Sequence, residues 1–176
     1  MKAQNMNDKK TKHIVIYAML TAFCCIATLF RGIPSPTGGF ANLGDIAVLL
    51  ISWLLPSGFC VFCASLGSAL ADVLLGCAYY APGTLVIKGT MALIAFLMMR
   101  RSKNKSVSAI VSAAAAEAVM IIGYFGYSVL LLGKALAAAL DSVPHNAVQA
   151  LVCSVVAVIL YKVINRYDVL KRFFDQ

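Results

Sequence analysis

The chain has 176 residues, of which 61% are hydrophobic and 12% are charged, about half of the ~25% charged share of soluble domains. Such a chain lacks the polar surface that a water-soluble fold needs, and its apolar stretches leave no room for a separate soluble enzyme or nucleotide-binding domain. The formal net charge of +8 does not indicate nucleic-acid binding, because most basic residues are confined to segments between apolar runs.

Six apolar runs predict six transmembrane helices, so we expect an all-α membrane protein with a compact six-helix bundle in a single domain, residues 1–176. The predicted spans are 13–30, 43–55, 57–76, 83–100, 106–132 and 143–165. Basic clusters precede the first run, follow the fourth and follow the sixth, so the positive-inside rule places the N- and C-termini in the cytoplasm. We therefore expect the basic segment 1–12 and the tail 166–176 to be cytoplasmic.

The second predicted span is short and follows a segment that cannot be helical. Its 13 residues would cover only about 20 Å as a helix, so it needs a tilt, a locally thinner bilayer or a folded loop beside it. The segment 32–44 contains several prolines and glycines, which stop helices and allow tight turns. We expect it to form a loop folded against protein at membrane depth.

Polar and ionisable side chains within the spans concentrate in the half of the bundle that should face outward. Such residues are costly inside a bilayer and mark a functional interior by default. Because the inner half is almost wholly apolar, the pattern predicts a pocket open to the outside rather than a channel. With the neighbouring aromatic residues, the candidate substrate-binding residues are Phe40, Asn42, Asp72, Tyr79, Tyr80, Lys88, Glu117, Tyr124, Asn146 and Gln149.

Several of these acidic and basic residues have a structural alternative. Asp72 and Lys88 lie at similar depth and could form an interhelical ion pair instead of contacting a ligand. Asp45 opens the second span, and its position favours a helix cap. Glu117 has no cation at its depth except Lys88, which favours a pocket role. The tyrosine pair at 79–80 could instead belong to the aromatic belt at the membrane surface.

Ala18 and Ala22 form a small-xxx-small pair on the first span. Such a surface lets another helix approach closely. We expect it to be a docking surface for a partner subunit, although packing within the bundle is an alternative.

Four segments, in this order and on these spans, resemble one family of transport proteins. They are 38–45 (GGFANLGD), 67–76 (GSALADVLLG), 81–89 (APGTLVIKG) and 143–151 (VPHNAVQAL). Together with the pair Ala18 and Ala22, they resemble the substrate-binding S components of energy-coupling-factor (ECF) transporters. The NLGD, ALAD and IKG strings are most similar to the riboflavin-type branch.

The resemblance implies a six-helix subunit of a bacterial plasma membrane that captures a vitamin from outside. A flat heteroaromatic ligand such as riboflavin, pyridoxine or hydroxymethylpyrimidine suits the aromatic and amide residues. The implied partners are this small-molecule vitamin, the lipid bilayer, two cytosolic ATPase subunits and a membrane coupling subunit that would contact Ala18 and Ala22. No enzymatic activity, cofactor, metal or nucleic acid is implied.

Two other classes of protein compete with this interpretation. A self-assembling membrane scaffold or small channel would form homo-oligomers and bind no ligand. An intramembrane enzyme would need a nucleophile with its base, or a metal cluster, at one depth. The two histidines, His13 and His145, belong to opposite membrane faces and cannot form such a site.

Overall fold

The computed structural model describes residues 2–34 and 40–166, with side chains for 10–30 and 42–166. Within these residues the chain forms six helices and one short hairpin: α1 Lys2–Leu29, β1 Arg31–Pro34, β2 Phe40–Asn42, α2 Gly44–Leu54, α3 Phe59–Leu74, α4 Ala81–Arg101, α5 Lys105–Leu130 and α6 Leu136–Arg166. The prediction of six helices is confirmed. The expectations for the loop residues 35–39 and for most of the C-terminal tail lie outside the described residues.

The short helix α2 lies at the centre of the bundle. Nine of its 11 residues are buried, and it packs against α1, α3, α4 and α6. At about 1.5 Å per residue it is only about 16 Å long. The preceding segment, expected to be a folded loop, includes an antiparallel pairing of β1 with β2, in which Arg31 lies opposite Asn42. The two paired strands therefore lie between α1 and α2 in the chain.

Two helix boundaries differ from the predicted spans. α6 begins at Leu136 rather than 143 and contains Pro144 within it. The alanine-rich residues before Pro144 have a high helix propensity, so the helix extends upstream of the proline. α1 begins at Lys2 rather than 13, but its segment apolar enough to cross a membrane is Lys10–Leu29.

Among the described residues, four helices are long and apolar enough to cross a membrane: α4, α5, α6 and the Lys10–Leu29 part of α1. α2 and α3 are apolar but shorter. Large apolar side chains on the outside of the bundle, such as Met19, Ile122 and Leu151, are 67%, 71% and 68% exposed. A lipid environment accommodates such a surface, because exposed apolar side chains carry no cost there.

Two glycines allow helices to approach closely. A Cβ added at Gly67 of α3 would lie 2.8 Å from the Cβ of Cys24 on α1. A Cβ at Gly83 of α4 would lie 2.6 Å from the ring of Tyr127 on α5. Both distances are well below normal carbon–carbon contacts, so a larger residue at either position would separate the helices that it joins.

Candidate functional site

A cavity of about 180 Å³ lies at the bundle end where α1, α3 and α5 finish and α2, α4 and α6 begin. Its lining includes seven of the predicted substrate-binding residues: Asn42, Asp72, Tyr79, Tyr80, Tyr124, Asn146 and Gln149. It also includes hydroxyl and basic side chains that were not predicted: Thr28, Thr84, Ser128, Lys134 and Ser142. The cavity thus combines aromatic surface with hydrogen-bonding groups, as ligand sites commonly do.

Tyrosine rings form one wall of the cavity. The ring centre of Tyr80 lies 4.8 Å from that of Tyr79 and 6.5 Å from that of Tyr124, the latter in an edge-on arrangement. The hydroxyl of Tyr127 donates to the carbonyl of Tyr79 at 2.7 Å, and Lys134 Nζ donates to the hydroxyl of Tyr80 at 2.7 Å. These contacts link the loop 75–80 to α5 and to the loop 131–135.

Asp72 reaches the cavity from the last turn of α3. This turn ends in a Schellman motif, in which Gly76 has a φ of 75° and the N–H of Cys77 donates to the carbonyl of Asp72 at 2.8 Å. The Asp72 Oδ2 atom is buried and has no hydrogen-bond partner among the described residues. A buried acceptor without a partner is unfavourable, so it is available to a donor on a ligand.

A buried polar network lies beside the cavity and joins four elements of the fold. Asp45 of α2 accepts hydrogen bonds from Lys88 Nζ of α4 and from Gln149 Nε2 of α6. The Gln149 Oε1 atom accepts the N–H of Asn42, which belongs to β2, at 3.0 Å. The Cys153 thiol lies 3.5 Å from the Asn42 carbonyl. The charged side chains are almost inaccessible, with Asp45 0% and Lys88 1% exposed.

Two expectations for this region were wrong. Asp45 does not cap α2: its carboxylate accepts from Lys88 and Gln149, and the Asn42 side chain accepts the N–H of Gly44 at 3.0 Å. The Asp45 side chain is therefore free to turn towards α4. Lys88 forms its ion pair with Asp45, so the alternative of an interhelical pair between Lys88 and Asp72 is also wrong.

Three of the predicted substrate-binding residues are not among the described lining residues. Lys88 lies behind the wall, with its Nζ atom 5.4 Å from the ring centre of Tyr124. Glu117 is 3% exposed, and neither carboxyl oxygen has a hydrogen-bond partner in the described part of the chain. It interacts electrostatically with Asp45 and Lys88. Phe40 lies in β2 by its backbone, and its side chain is outside the described residues.

Helical spacing could have identified some of the residues that sequence reasoning missed. Thr84 precedes Lys88 by four positions and Ser128 follows Tyr124 by four, so each shares a helix face with a predicted residue. The Thr84 hydroxyl lies 3.0 Å from the Tyr124 hydroxyl. Thr28 gives a weaker signal, because its hydroxyl donates to the carbonyl of Cys24 in its own helix at 2.8 Å, a common arrangement without functional meaning.

The predicted docking pair lies on an uncovered face of α1. Ala18 and Ala22 are both exposed. Their large apolar neighbours Met19, Phe23 and Ile26 are 67%, 51% and 61% exposed. The pair does not pack inside the described bundle, so the internal-packing alternative is wrong for these two alanines.

The helices define a multi-pass membrane protein with a polar and aromatic cavity at one end of its bundle. The sequence matches the family described as "ECF-type riboflavin transporter, S component" over residues 8–166, and the chain belongs to this family. A Pyrococcus woesei protein described as "Uncharacterized protein in gap 3'region" is 33% identical over 109 residues, which cover 61% of this chain and 72% of the relative. Family membership makes the chain a vitamin-binding transport subunit, and it does not favour a scaffold or channel.

Proposed function

We propose that this protein captures a flat heteroaromatic vitamin, with riboflavin as the first candidate, for ATP-driven uptake by an ECF module. The observation that carries the proposal is the composition of the cavity wall. Tyr80 and Tyr124 offer aromatic surface for a planar ring, and Asn146 and Gln149 offer amide groups for its polar edge. The Asp72 Oδ2 atom adds an acceptor that has no hydrogen-bond partner among the described residues.

The size of the cavity helps to separate the candidate ligands. Its volume of about 180 Å³ is below the roughly 300–1,000 Å³ of sites for drug-sized ligands. A single-ring vitamin such as pyridoxine or hydroxymethylpyrimidine needs less space than riboflavin. Riboflavin would require the loops 75–80 and 131–135 to separate, or its side chain to extend between them. The family description favours riboflavin, whereas the volume of the cavity favours a single-ring vitamin.

Binding measurements on the purified protein test the proposed ligand class. Riboflavin, pyridoxine and hydroxymethylpyrimidine would each be added to protein in detergent, and unfolding followed with a thiol-reactive dye. The dye is suitable because five of the six cysteines are buried. We expect riboflavin to raise the unfolding midpoint most and tyrosine contact to quench its fluorescence. If none of the three vitamins raises the midpoint, the proposed ligand class is wrong.

A substitution in the tyrosine wall locates the ligand in this cavity. Tyr80→Ala removes an aromatic contact worth roughly 0.5–1.5 kcal/mol, so riboflavin should bind about two- to twelvefold more weakly. Tyr80→Phe keeps the ring and should retain most of the affinity. Tyr161→Phe is the matched control, because Tyr161 packs on Trp53 in a region that does not line the cavity. Equal losses in Tyr80→Ala and Tyr161→Phe would place the ligand elsewhere.

The distribution of charge supports an outward-facing cavity. Exposed basic residues, including Arg101, Lys103 and Lys105, lie at the opposite end from the cavity, and the positive-inside rule makes that end cytoplasmic. We propose that all six helices span the membrane and that both termini are cytoplasmic. Fluorescent-protein and alkaline-phosphatase fusions at the C-terminus test this, since only the first should be active.

The exposed face of α1 is proposed to contact the membrane coupling subunit of the ECF module, to which two cytosolic ATPases would be attached. Ala18→Leu with Ala22→Leu should prevent copurification with that subunit and leave vitamin binding intact. The control is Ala114→Leu with Ala118→Leu, an exposed pair at the same spacing on α5. Loss of vitamin binding with assembly intact would reverse the role assigned to the α1 face.

A further inference from the structure

The side-chain amide of Gln149 has an orientation that its two partners determine. Its Oε1 atom accepts the backbone N–H of Asn42 at 3.0 Å, and its Nε2 atom donates to Oδ2 of Asp45. A backbone N–H can only donate and a carboxylate can only accept, so the reverse orientation would lose both hydrogen bonds. Gln149 also lines the cavity. One hydrogen on Nε2 and one lone pair on Oε1 remain for a ligand.

Asp45 and Lys88 do not line the cavity themselves. Asp45 is 0% exposed and Lys88 is 1% exposed, and Lys88 donates to the Asp45 Oδ1 atom. The lysine compensates the charge of the buried carboxylate, which would otherwise be strongly unfavourable. Asp45 accepts from both Lys88 and Gln149. The ion pair thus fixes the orientation of the Gln149 amide from the side of the amide that faces away from the cavity.

We propose that Asp45 and Lys88 are positioning residues for ligand recognition and act through Gln149. They hold its amide so that the cavity wall presents a hydrogen-bond donor and an acceptor side by side. The matching ligand class is a heteroaromatic ring with an adjacent acceptor and donor on one edge, such as a lactam, an imide or an aminopyrimidine. This inference rests on the proposed function, in which the cavity binds a vitamin.

A double-mutant cycle with riboflavin as the probe tests whether the pair acts through Gln149. Asp45→Ala combined with Lys88→Met removes both charges of the ion pair and takes away the carboxylate that accepts from Gln149 Nε2. Its dissociation constant would be compared with those of Gln149→Ala and of the triple variant. We expect the neutral pair to weaken binding about tenfold or more, the cost of a lost buried hydrogen bond. The triple variant should lie within about twofold of Gln149→Ala.

The possible outcomes separate this inference from the proposed function. If the wild-type protein does not bind riboflavin, the proposed riboflavin site is wrong and the inference falls with it. If the wild type binds but the two losses multiply in the triple variant, Asp45 and Lys88 act independently of Gln149, and only the inference is overturned. An unchanged affinity in the neutral pair overturns it as well.

A control variant distinguishes a loss of riboflavin affinity from a general loss of stability. Ser112→Ala removes the acceptor of Trp53 Nε1, a 3.0 Å hydrogen bond remote from the cavity. It should lower the unfolding midpoint and leave riboflavin affinity unchanged. If the neutral pair does not fold, Asp45→Glu takes its place in the cycle, because it keeps the charge and displaces the carboxylate by one methylene group. The same non-additivity with Gln149→Ala is expected.

Discussion

The two ends of the bundle satisfy their polar groups in different ways. At the basic end, Arg100 donates to the carbonyl of Leu55 at 3.3 Å and Lys105 to that of Met99 at 2.6 Å. The Asn104 side chain accepts from the first turn of α5 at 3.2 Å. These side chains complete helix ends, and their partners belong to the protein itself.

The cavity end retains hydrogen-bonding capacity that the described protein groups do not use. Asp72 Oδ2 is buried there without a hydrogen-bond partner among the described residues. The Gln149 side chain uses one hydrogen of Nε2 in its bond to Asp45 and one lone pair of Oε1 in its bond to Asn42. Buried polar groups are normally satisfied, so the unpaired acceptor at this end supports the proposal that a ligand binds in the cavity. The basic end therefore pairs its polar side chains within the protein, whereas the cavity end leaves a buried acceptor without a described partner.

The largest expected effect comes from breaking the buried ion pair on one side. Asp45→Ala leaves the Lys88 ammonium group buried without its carboxylate, which should destabilise the protein by about 3–5 kcal/mol. At the basic end, Ser112→Ala deprives Trp53 of an acceptor and should cost only about 1–3 kcal/mol. Unfolding midpoints from the thiol-reactive dye would rank the two variants.

Removing the second charge provides the control. Lys88→Met in the Asp45→Ala background eliminates the unpaired ammonium group, so much of the lost stability should return. A double variant as unstable as Asp45→Ala would mean that the loss comes from packing rather than from charge. A larger loss for Ser112→Ala than for Asp45→Ala would contradict the contrast drawn between the two ends.

Sequence alone predicted the helices better than the pairing of side chains between them. The apolar runs located α2, α4 and α5 closely because hydrophobic length is a one-dimensional property. Partner choice depends on rotation about each helix axis, and Lys88 could not be assigned to Asp45 rather than Asp72 from depth alone. The start of α6 was predicted at 143 rather than at Leu136 because a proline usually ends a helix, and α6 contains Pro144 within it.

The site likewise combined residues that the sequence predicted with residues that it did not. Of the polar residues grouped by depth, Asp72, Asn146 and Gln149 line the cavity, whereas Lys88 and Glu117 are not among its described lining residues. Lys134 was missed because it belongs to a loop, and its position over Tyr80 depends on how two loops meet. Loop contacts between distant segments leave no periodic signal in the sequence.

A smaller effect is expected at the unpartnered acceptor of the cavity wall. Asp72→Asn replaces a carboxylate oxygen that a ligand donor can use, so riboflavin binding should weaken by about 1.5–3 kcal/mol, or roughly 10- to 150-fold. Asp141→Asn is the matched control, since Asp141 is exposed on α6 outside the lining. Titration of riboflavin fluorescence measures both. Similar affinities in the two variants would show that Asp72 does not contact the ligand.

The smallest effect concerns the contact between the two loops at the cavity. Lys134 Nζ donates to the Tyr80 hydroxyl at 2.7 Å, but Lys134 is exposed, and exposed interactions of a lysine contribute only about 0–1 kcal/mol. Lys134→Met should therefore accelerate riboflavin dissociation by no more than about fivefold, because the loops would separate more readily. Lys103→Met, an exposed lysine at the basic end, is the control. Stopped-flow measurement of dissociation compares them, and equal rates would show that the loop contact does not retain the ligand.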